Sequence, residues 1–236
     1  SGPELGEELW GFVPYHLLPQ LMWLTQPDYT HVSYVDLKPK VTDVRIFSPE
    51  AACGGGTTPT ASGCIHPDGW GTILILGMRF GGSCGSCIGV SGTNNGGPPL
   101  SVTAKFDGVT TTTRTFYSAY IVLDITDPDA TPTVLSVYSS STLGLTTSYP
   151  SVVRMSPAGD GKNVHTNAKY FMVLGSGVQG YNGRALNGGG GGAKLFAVQL
   201  VTPGTAPTVS VLPVGLDTYG GFMADPITFD RDLDFR

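Results

Sequence analysis

A set of strand signals that occurs twice in the same order constrains the fold of this chain more than any other feature. The first set comprises four apolar runs separated by turn residues, at 38–47, 70–77, 117–128 and 133–138. The second set, which also has a proline near its start, comprises the runs at 149–155, 169–175, 193–203 and 208–212. In the first run, Val41, Val44 and Ile46 are candidates for a buried face. Repeated units of four antiparallel strands are typical of β-propeller blades, so we predict an all-β propeller.

These repeats divide the chain into blades. Residues 36–140 form the first full blade and contain an insertion at 78–116, rich in Gly, Ser and Thr, that is expected to be a surface excursion. Residues 141–216 form the second full blade, and 217–236 begin a third with a strand at 225–230. Closing a propeller takes at least about four blades. We therefore expect an incomplete portion of a ring, which further residues or a second chain would complete.

The N-terminal residues 1–35 are predicted to contain the last strand of a preceding blade, at Glu7–Val13, followed by one short helix. The helix begins at Pro14, because proline suits a first helical turn, and ends near Thr25. Pro19 is expected to kink it. The helix either caps one mouth or edge of the propeller or binds a partner. Its predicted apolar side comprises Leu17, Leu18, Leu21, Met22 and Leu24.

Composition narrows the range of partners. The chain has 13 Lys and Arg against 18 Asp and Glu, which gives a formal charge of −5. This charge offers no basic surface for nucleic acid or anionic lipid. The apolar runs are shorter than the roughly 20 residues that a membrane span requires. We therefore predict no nucleic-acid partner and no membrane span.

The four cysteines lie in one region rich in Gly, Thr, Ser and Pro. An even number of cysteines in exposed loops suits an oxidising compartment, and three pairings are possible. We favour disulfides between Cys53 and Cys64 and between Cys84 and Cys87, each of which closes a loop. The alternative is a four-thiolate zinc site, but only Cys84 and Cys87 have the two-residue spacing of a zinc knuckle.

Motifs for catalysis are weak. Residues 175–180 match a dinucleotide fingerprint, but the residues that follow cannot form the required helix, so we predict a hairpin loop. The sequence has no GxSxG elbow. The carboxylates of Asp124, Asp127 and Asp129 lie at a strand end, where Asp commonly makes turns. The four histidines, which we interpret as isolated polar residues, are His16, His31, His66 and His165.

The C-terminal segment carries the most specific site signal. Asp230, Asp232 and Asp234 alternate along the chain, and carboxylates at alternate positions of a tight loop converge on a calcium ion. A further acidic ligand would follow Arg236. The alternative is a strand whose alternating aspartates face water.

In their order, these motifs resemble the C-terminal β-propeller of the PilY family, the tip-associated adhesins and assembly proteins of type IV pili. The resemblance covers almost the whole chain, although the cysteine-bearing insertion is not part of the family pattern. In that family an aspartate loop binds calcium. The resemblance maps this loop onto Asp230, Asp232 and Asp234 here. The matching segments are Glu8 to Pro14, Leu18 to Leu21, Trp70 to Gly77 and Tyr120 to Pro128.

The resemblance implies a non-enzymatic protein of the fimbrium that acts in pilus biogenesis, in extension and retraction, and in cell adhesion, with calcium as regulator. It implies export through the periplasm to the pilus tip at the cell surface, with minor pilins and a host or abiotic surface as partners. Quinone-dependent dehydrogenases also use quinoprotein-like blades of four antiparallel strands, and such an enzyme is one alternative. A structural component of a surface filament is the other.

Overall fold

The computed structural model describes residues 5–27, 29, 31–48, 50, 53, 63–81, 100–156, 167–177, 193–212 and 222–229. Within these residues the strands form two four-stranded antiparallel sheets and one two-stranded hairpin, and the longest helix is a 3₁₀ helix at Tyr15–Thr25. The predicted all-β class is therefore confirmed.

Sheet 1 follows the predicted first unit. Its strand order is β1-β2-β5-β6, and all neighbouring strands are antiparallel. A 3₁₀ turn at Pro67–Gly69 leads directly into the second strand. The strands of sheet 1 are β1 (Lys40–Arg45), β2 (Trp70–Gly77), β5 (Ala119–Asp124) and β6 (Thr133–Ser139).

Sheet 2 follows the predicted second unit and pairs its strands in simple sequence order, β7-β8-β9-β10. Every pair is again antiparallel. The β8–β9 register matches the β2–β5 register position for position when the strands are aligned on the glycine that ends β2 and the glycine that ends β8. The strands of sheet 2 are β7 (Ser151–Met155), β8 (Lys169–Gly175), β9 (Leu195–Gln199) and β10 (Val209–Leu212).

The main core lies between the two sheets. In β2, Ile73 and Ile75 belong to this core, whereas Leu74 and Leu76 lie on the opposite face of sheet 1. This opposite face packs against the N-terminal segment through Leu17 and other apolar residues. Sheet 1 therefore has apolar side chains covered on both faces, as its nearly continuous apolar β2 requires.

Sheet 2 presents the other of its two faces to this core. Met172 and Leu174 of β8 are buried in the core between the sheets, although they align with the β2 residues that point away from it. Because side chains alternate along a strand, Phe171 and Val173 lie on the far face of sheet 2. The same reversal holds between β5 and β9, so the sheets stack head to tail rather than through equivalent faces. The residues that show it in these two strands are Tyr120 and Val122 against Phe196 and Val198.

A polar hairpin lies within the predicted surface insertion. It consists of β3 (Leu100–Ala104) and β4 (Thr112–Phe116). Only β3 alternates apolar and polar residues, whereas β4 is rich in threonine. Cross-strand hydroxyl pairs join the strands, with Thr103 Oγ1 2.8 Å from Thr113 Oγ1. In the turn, the carboxylate of Asp107 accepts two backbone N–H groups, and these bonds lower its pKa.

The N-terminal helix differs from its prediction in the face it buries. Leu17 and Gln20 are buried, whereas Leu18, Met22 and Leu24 are exposed. A 3₁₀ helix has three residues per turn, so residues spaced by three share a side and the α-helical stripe is wrong. Pro14 precedes this helix and Pro19 lies inside it, as predicted.

Two predicted strands have no partner strand among the described residues, and one predicted buried face is wrong in part. Residues 7–13 and the described part of the third repeat, 222–229, form no ladder with any strand that the structure describes. Their sequence patterns predict strands, but a strand requires a hydrogen-bonded partner. In β1, Val44 is buried while Val41 is 55 % exposed, because residues three apart point to opposite faces of a strand.

Candidate functional site

The cysteine prediction is tested at one pair. Cys53 and Cys64 form a disulfide, in agreement with the favoured pairing. The Glu50 carboxylate oxygen and both sulfurs lie within 4.8 Å of one another. Only thiolate sulfur ligates metals well, so the bonded sulfurs do not form half of a zinc site.

The remaining predicted site residues lie outside the part of the chain that the structure describes. This applies to both cysteines of the second pair and to the whole aspartate loop. Their predicted roles as a disulfide and as calcium ligands stay predictions. These residues are Cys84, Cys87, Asp230, Asp232 and Asp234.

His66 is not the isolated polar residue that its sequence context indicates. Its Nδ1 lies 2.8 Å from Oε1 of Glu50, and its Nε2 lies 2.9 Å from Oδ2 of Asp124. Its side chain is 13 % exposed. Each ring nitrogen therefore lies within hydrogen-bond distance of a carboxylate oxygen, and a carboxylate only accepts hydrogen bonds. The three residues form a carboxylate–imidazole–carboxylate bridge, which we call the His66 bridge.

Neighbouring groups hold each member of the His66 bridge in place. The ring of Phe47 stacks on the imidazole, with 3.8 Å between centroids and 12° between planes. The hydroxyl of Thr126 donates to Oδ1 of Asp124 at 2.6 Å. The backbone N–H of Ile65 donates to Oε2 of Glu50 at 2.9 Å. This bond, and next the bond from His66, lowers the pKa of Glu50 below its ordinary value.

The bridge joins three segments at one end of sheet 1. Asp124 ends β5, and its carboxylate also accepts the backbone N–H of Thr126, as expected for aspartate in a turn. His66 lies just before β2, and Glu50 lies in the connection between β1 and β2. The disulfide lies in the same connection. The bridge ties Glu50 and His66 to the end of sheet 1, and the disulfide ties Cys53 to Cys64.

The geometry of the bridge bears on catalysis. In a hydrolytic triad one imidazole nitrogen binds a carboxylate and the other faces a nucleophile. Both nitrogens of His66 face carboxylates, so His66 as arranged does not activate a hydroxyl. The second described histidine with a defined contact is His16, whose Nδ1 donates to the carbonyl oxygen of Tyr117, and burial lowers its pKa.

Two cavities open at this same end of the sheets. The outer cleft, of about 710 Å³, lies beside the His66 bridge and has acidic side chains on its wall. The inter-sheet cavity, of about 450 Å³, lies between the ends of sheet 1 and sheet 2. The outer cleft is lined by residues that include Asp43, Ile65, Trp70, Thr72, Thr126 and Asp127. The inter-sheet cavity is lined by residues that include Arg45, Phe47, Lys169, Tyr170, Gln199, Thr202 and Thr205.

An aromatic contact lies between the two cavities. Trp70 lines the outer cleft, Tyr170 lines the inter-sheet cavity, and their rings meet edge to face with centroids 6.2 Å apart. Edge-to-face packing is a preferred arrangement of aromatic pairs. The two sheets are thus in direct contact at the end where both cavities open.

Sequence reasoning found the disulfide but not the His66 bridge. His66 is separated from Glu50 by 16 residues and from Asp124 by 58, so no local motif joins them. The pairing of β2 with β5, which is the step that brings His66 to Asp124, follows only from the fold.

In comparison with known proteins, no family model, no curated protein and no solved structure matches the chain. Among the described helices, none combines the length and apolar character that crossing a bilayer requires.

Proposed function

We propose that this chain is part of a β-propeller belonging to a non-enzymatic cell-surface protein of type IV pili. The observation that supports the propeller most strongly is the head-to-tail stacking of sheets 1 and 2. A head-to-tail contact can be repeated, because the far face of sheet 2 is equivalent to the face of sheet 1 that packs on sheet 2. A further sheet can therefore pack on sheet 2 in the same way. Blades around a propeller axis are related in this way.

The route of residues 222–229 is a second support for the propeller. The backbone N–H of Met223 donates to the carbonyl oxygen of Ser176 at the end of sheet 2. Asp225 accepts the backbone N–H of Tyr149, and Thr228 lies 2.6 Å from Ser151 of β7, hydroxyl to hydroxyl. The third repeat thus begins beside the first strand of the second, where the inner strand of a further blade would lie.

The disulfide supports export. Structural disulfides persist in oxidising compartments such as the periplasm and the cell surface. The association with pili, and the roles in biogenesis and adhesion, rest on the order of motifs that resembles the PilY family. The calcium proposal rests on the alternation of Asp230, Asp232 and Asp234, which suits an oxygen-ligand cation.

A gene-level experiment tests the pilus association. Deleting the encoding region from the source organism should abolish surface pili or their retraction, and a plasmid copy should restore them. Unchanged piliation and motility would contradict the proposal. A bound quinone spectrum with alcohol-dependent dye reduction in the purified protein would favour the dehydrogenase alternative instead.

Calcium is tested separately by its effect on melting. A ligand that binds only the folded state stabilises it by mass action. The melting temperature should therefore be higher with calcium than with a chelator, and the difference should vanish in the triple variant Asp230→Asn, Asp232→Asn, Asp234→Asn. Equal melting temperatures in calcium and in chelator, for a protein that extends past Arg236, would refute the site.

A further inference from the structure

The inter-sheet cavity combines cationic and neutral polar groups. Lys169 contributes a positive charge, and Arg45 contributes a guanidinium that is ion-paired with Asp68. Tyr170, Gln199, Thr202 and Thr205 supply hydroxyl and amide groups. No carboxylate is among the described residues that line it. Its volume of about 450 Å³ lies within the range of about 300–1,000 Å³ that is usual for small-molecule sites.

Arg45 is held rigidly at the wall of this cavity. Its Nε donates to the backbone carbonyl oxygen of Asp68 at 2.7 Å, and its Nη2 donates to the Asp68 carboxylate at 2.9 Å. The side chain of Arg45 is 15 % exposed. Such bonds fix the orientation of the guanidinium plane, and a pre-organised cation loses less entropy on binding a ligand.

Lys169 supplies a charge that is free to meet a ligand. It is exposed at the first position of β8, and it forms no ion pair with any residue that the structure describes. A lysine ammonium offers three donors on a flexible stem, which suits an anion whose exact position varies.

A third cation lies close to the cavity. Arg154 of β7 is the register partner of Tyr170 in β8, and paired residues project from the same face of a sheet. Burial raises the pKa of the Tyr170 hydroxyl, while the charges of Arg154 and Arg45 oppose that rise. Both guanidinium groups therefore act on the phenol at the cavity wall.

The positive cavity contrasts with its surroundings. The chain as a whole carries a formal charge of −5, and the outer cleft has Asp43 and Asp127 on its wall. An anion approaching this end of the sheets would be repelled from the outer cleft and attracted to the inter-sheet cavity. This difference in sign selects a ligand class.

We propose that the inter-sheet cavity binds the carboxylate or phosphate group of a small, hydroxyl-rich molecule, such as an acidic sugar. Lys169 and Arg45 face the oxyanion, since cationic donors make the strongest hydrogen bonds to carboxylate and phosphate oxygens. Gln199, Thr202 and Thr205 meet the hydroxyl groups of the ligand body. The site is independent of the proposed pilus association.

Calorimetric titration of the purified protein tests this site, with glucuronate, glucose and inorganic phosphate as probes. We expect saturable binding of glucuronate, no binding of uncharged glucose, and competition between phosphate and glucuronate. Lys169→Glu should weaken glucuronate binding about tenfold or more, because a hydrogen bond to a charged group is replaced by repulsion. Lys105→Glu, which makes the same charge change in the exposed turn of the β3–β4 hairpin, should leave binding unchanged.

Thermal unfolding of both variants would confirm that they remain folded. The proposal is overturned if glucuronate does not saturate the protein, if glucose binds equally well, if phosphate does not compete, or if Lys169→Glu and Lys105→Glu bind alike. None of these results bears on piliation, so the site and the proposed function fail separately.

Discussion

Ile75 and Val173 occupy equivalent positions in β2 and β8, yet Ile75 points into the core between the sheets and Val173 points away from it. Both side chains are buried, with 1 % and 7 % of their surface exposed. A sandwich formed by a two-fold axis would turn equivalent residues toward each other. The opposite directions of Ile75 and Val173 therefore favour a stack to which further sheets can be added, and not a two-fold sandwich of only two sheets.

The core between the sheets should depend strongly on Ile75. Truncating a fully buried isoleucine to alanine costs about 2–5 kcal/mol, because apolar contact is lost and a cavity remains. We expect Ile75→Ala to lower the free energy of unfolding in urea by an amount in this range. Val41→Ala, in the exposed part of β1, should change it by less than about 0.5 kcal/mol. Equal effects of the two truncations would contradict the observed core.

Adding any side chain at Gly177 should destabilise the protein. A Cβ at this position would overlap the backbone carbonyl of Leu145, and the hydrogen bond from Gly177 N–H to the Leu143 carbonyl oxygen, 2.9 Å long, prevents retreat. Gly177→Ala should therefore lower stability by about 1–3 kcal/mol. Gly11→Ala is the matched control, since its Cβ would meet only the Glu8 carboxylate at an ordinary 3.6 Å. Unfolding curves that coincide for both variants would show that Gly177 has more room.

The His66 bridge should make the free energy of unfolding depend on pH in the acid range. The pKa of Glu50 is below its ordinary value of 4.5 in the folded protein, so its contribution is present above that pH and is lost as the pH falls through the folded pKa. We expect Glu50→Gln to be less stable than the native protein near neutral pH and to lose less stability below about pH 4.5.

Glu8→Gln, at an exposed position, is the control for the acid experiment. It should retain the acid sensitivity of the native protein. Asp107, whose pKa is also lowered, contributes to the acid limb in all three proteins, so the slope should fall in Glu50→Gln without vanishing. Parallel acid limbs for the native protein and Glu50→Gln would show that Glu50 forms no such bridge in solution.

The disulfide between Cys53 and Cys64 should stabilise the connection that carries Glu50. The bonded residues are 11 apart, and closing a loop of this size is worth about 3 kcal/mol by restriction of the unfolded chain. The double variant Cys53→Ser, Cys64→Ser should lose about that much stability. Peptide mapping without reductant should recover the linked pair, whereas four free thiols in the denatured, unreduced protein would exclude it.

The sequence predicted the apolar strands because their signal is local. The run from Trp70 to Gly77 became β2 with the same ends, since a strand buried on both faces must be apolar throughout. The β3–β4 hairpin was missed because it lies in an insertion rich in Gly, Ser and Thr, and because β4 carries no hydrophobic period. The helix was placed correctly, but its buried side was wrong because a 3₁₀ repeat replaces the α-helical one.

The candidate site was harder to predict than the fold. Alternation along β2 shows that the strand has two faces, but it does not show which neighbour covers each of them. The partners of His66 depend on strand pairing and on the path of a long connection. The cationic groups of the inter-sheet cavity similarly come from two sheets, Arg45 from sheet 1 and Lys169 from sheet 2. No single stretch of sequence shows that they line one cavity.

We infer that sheets 1 and 2 are consecutive units of a repeating head-to-tail stack. A crystal structure of the purified protein that resolves its side chains tests this most directly. We expect a further antiparallel sheet that starts at 225–229 and packs over Phe171 and Val173 on the far face of sheet 2, built from this protein or from a second chain. A far face left open to solvent, or Ile75 and Val173 facing each other in one core, would contradict it.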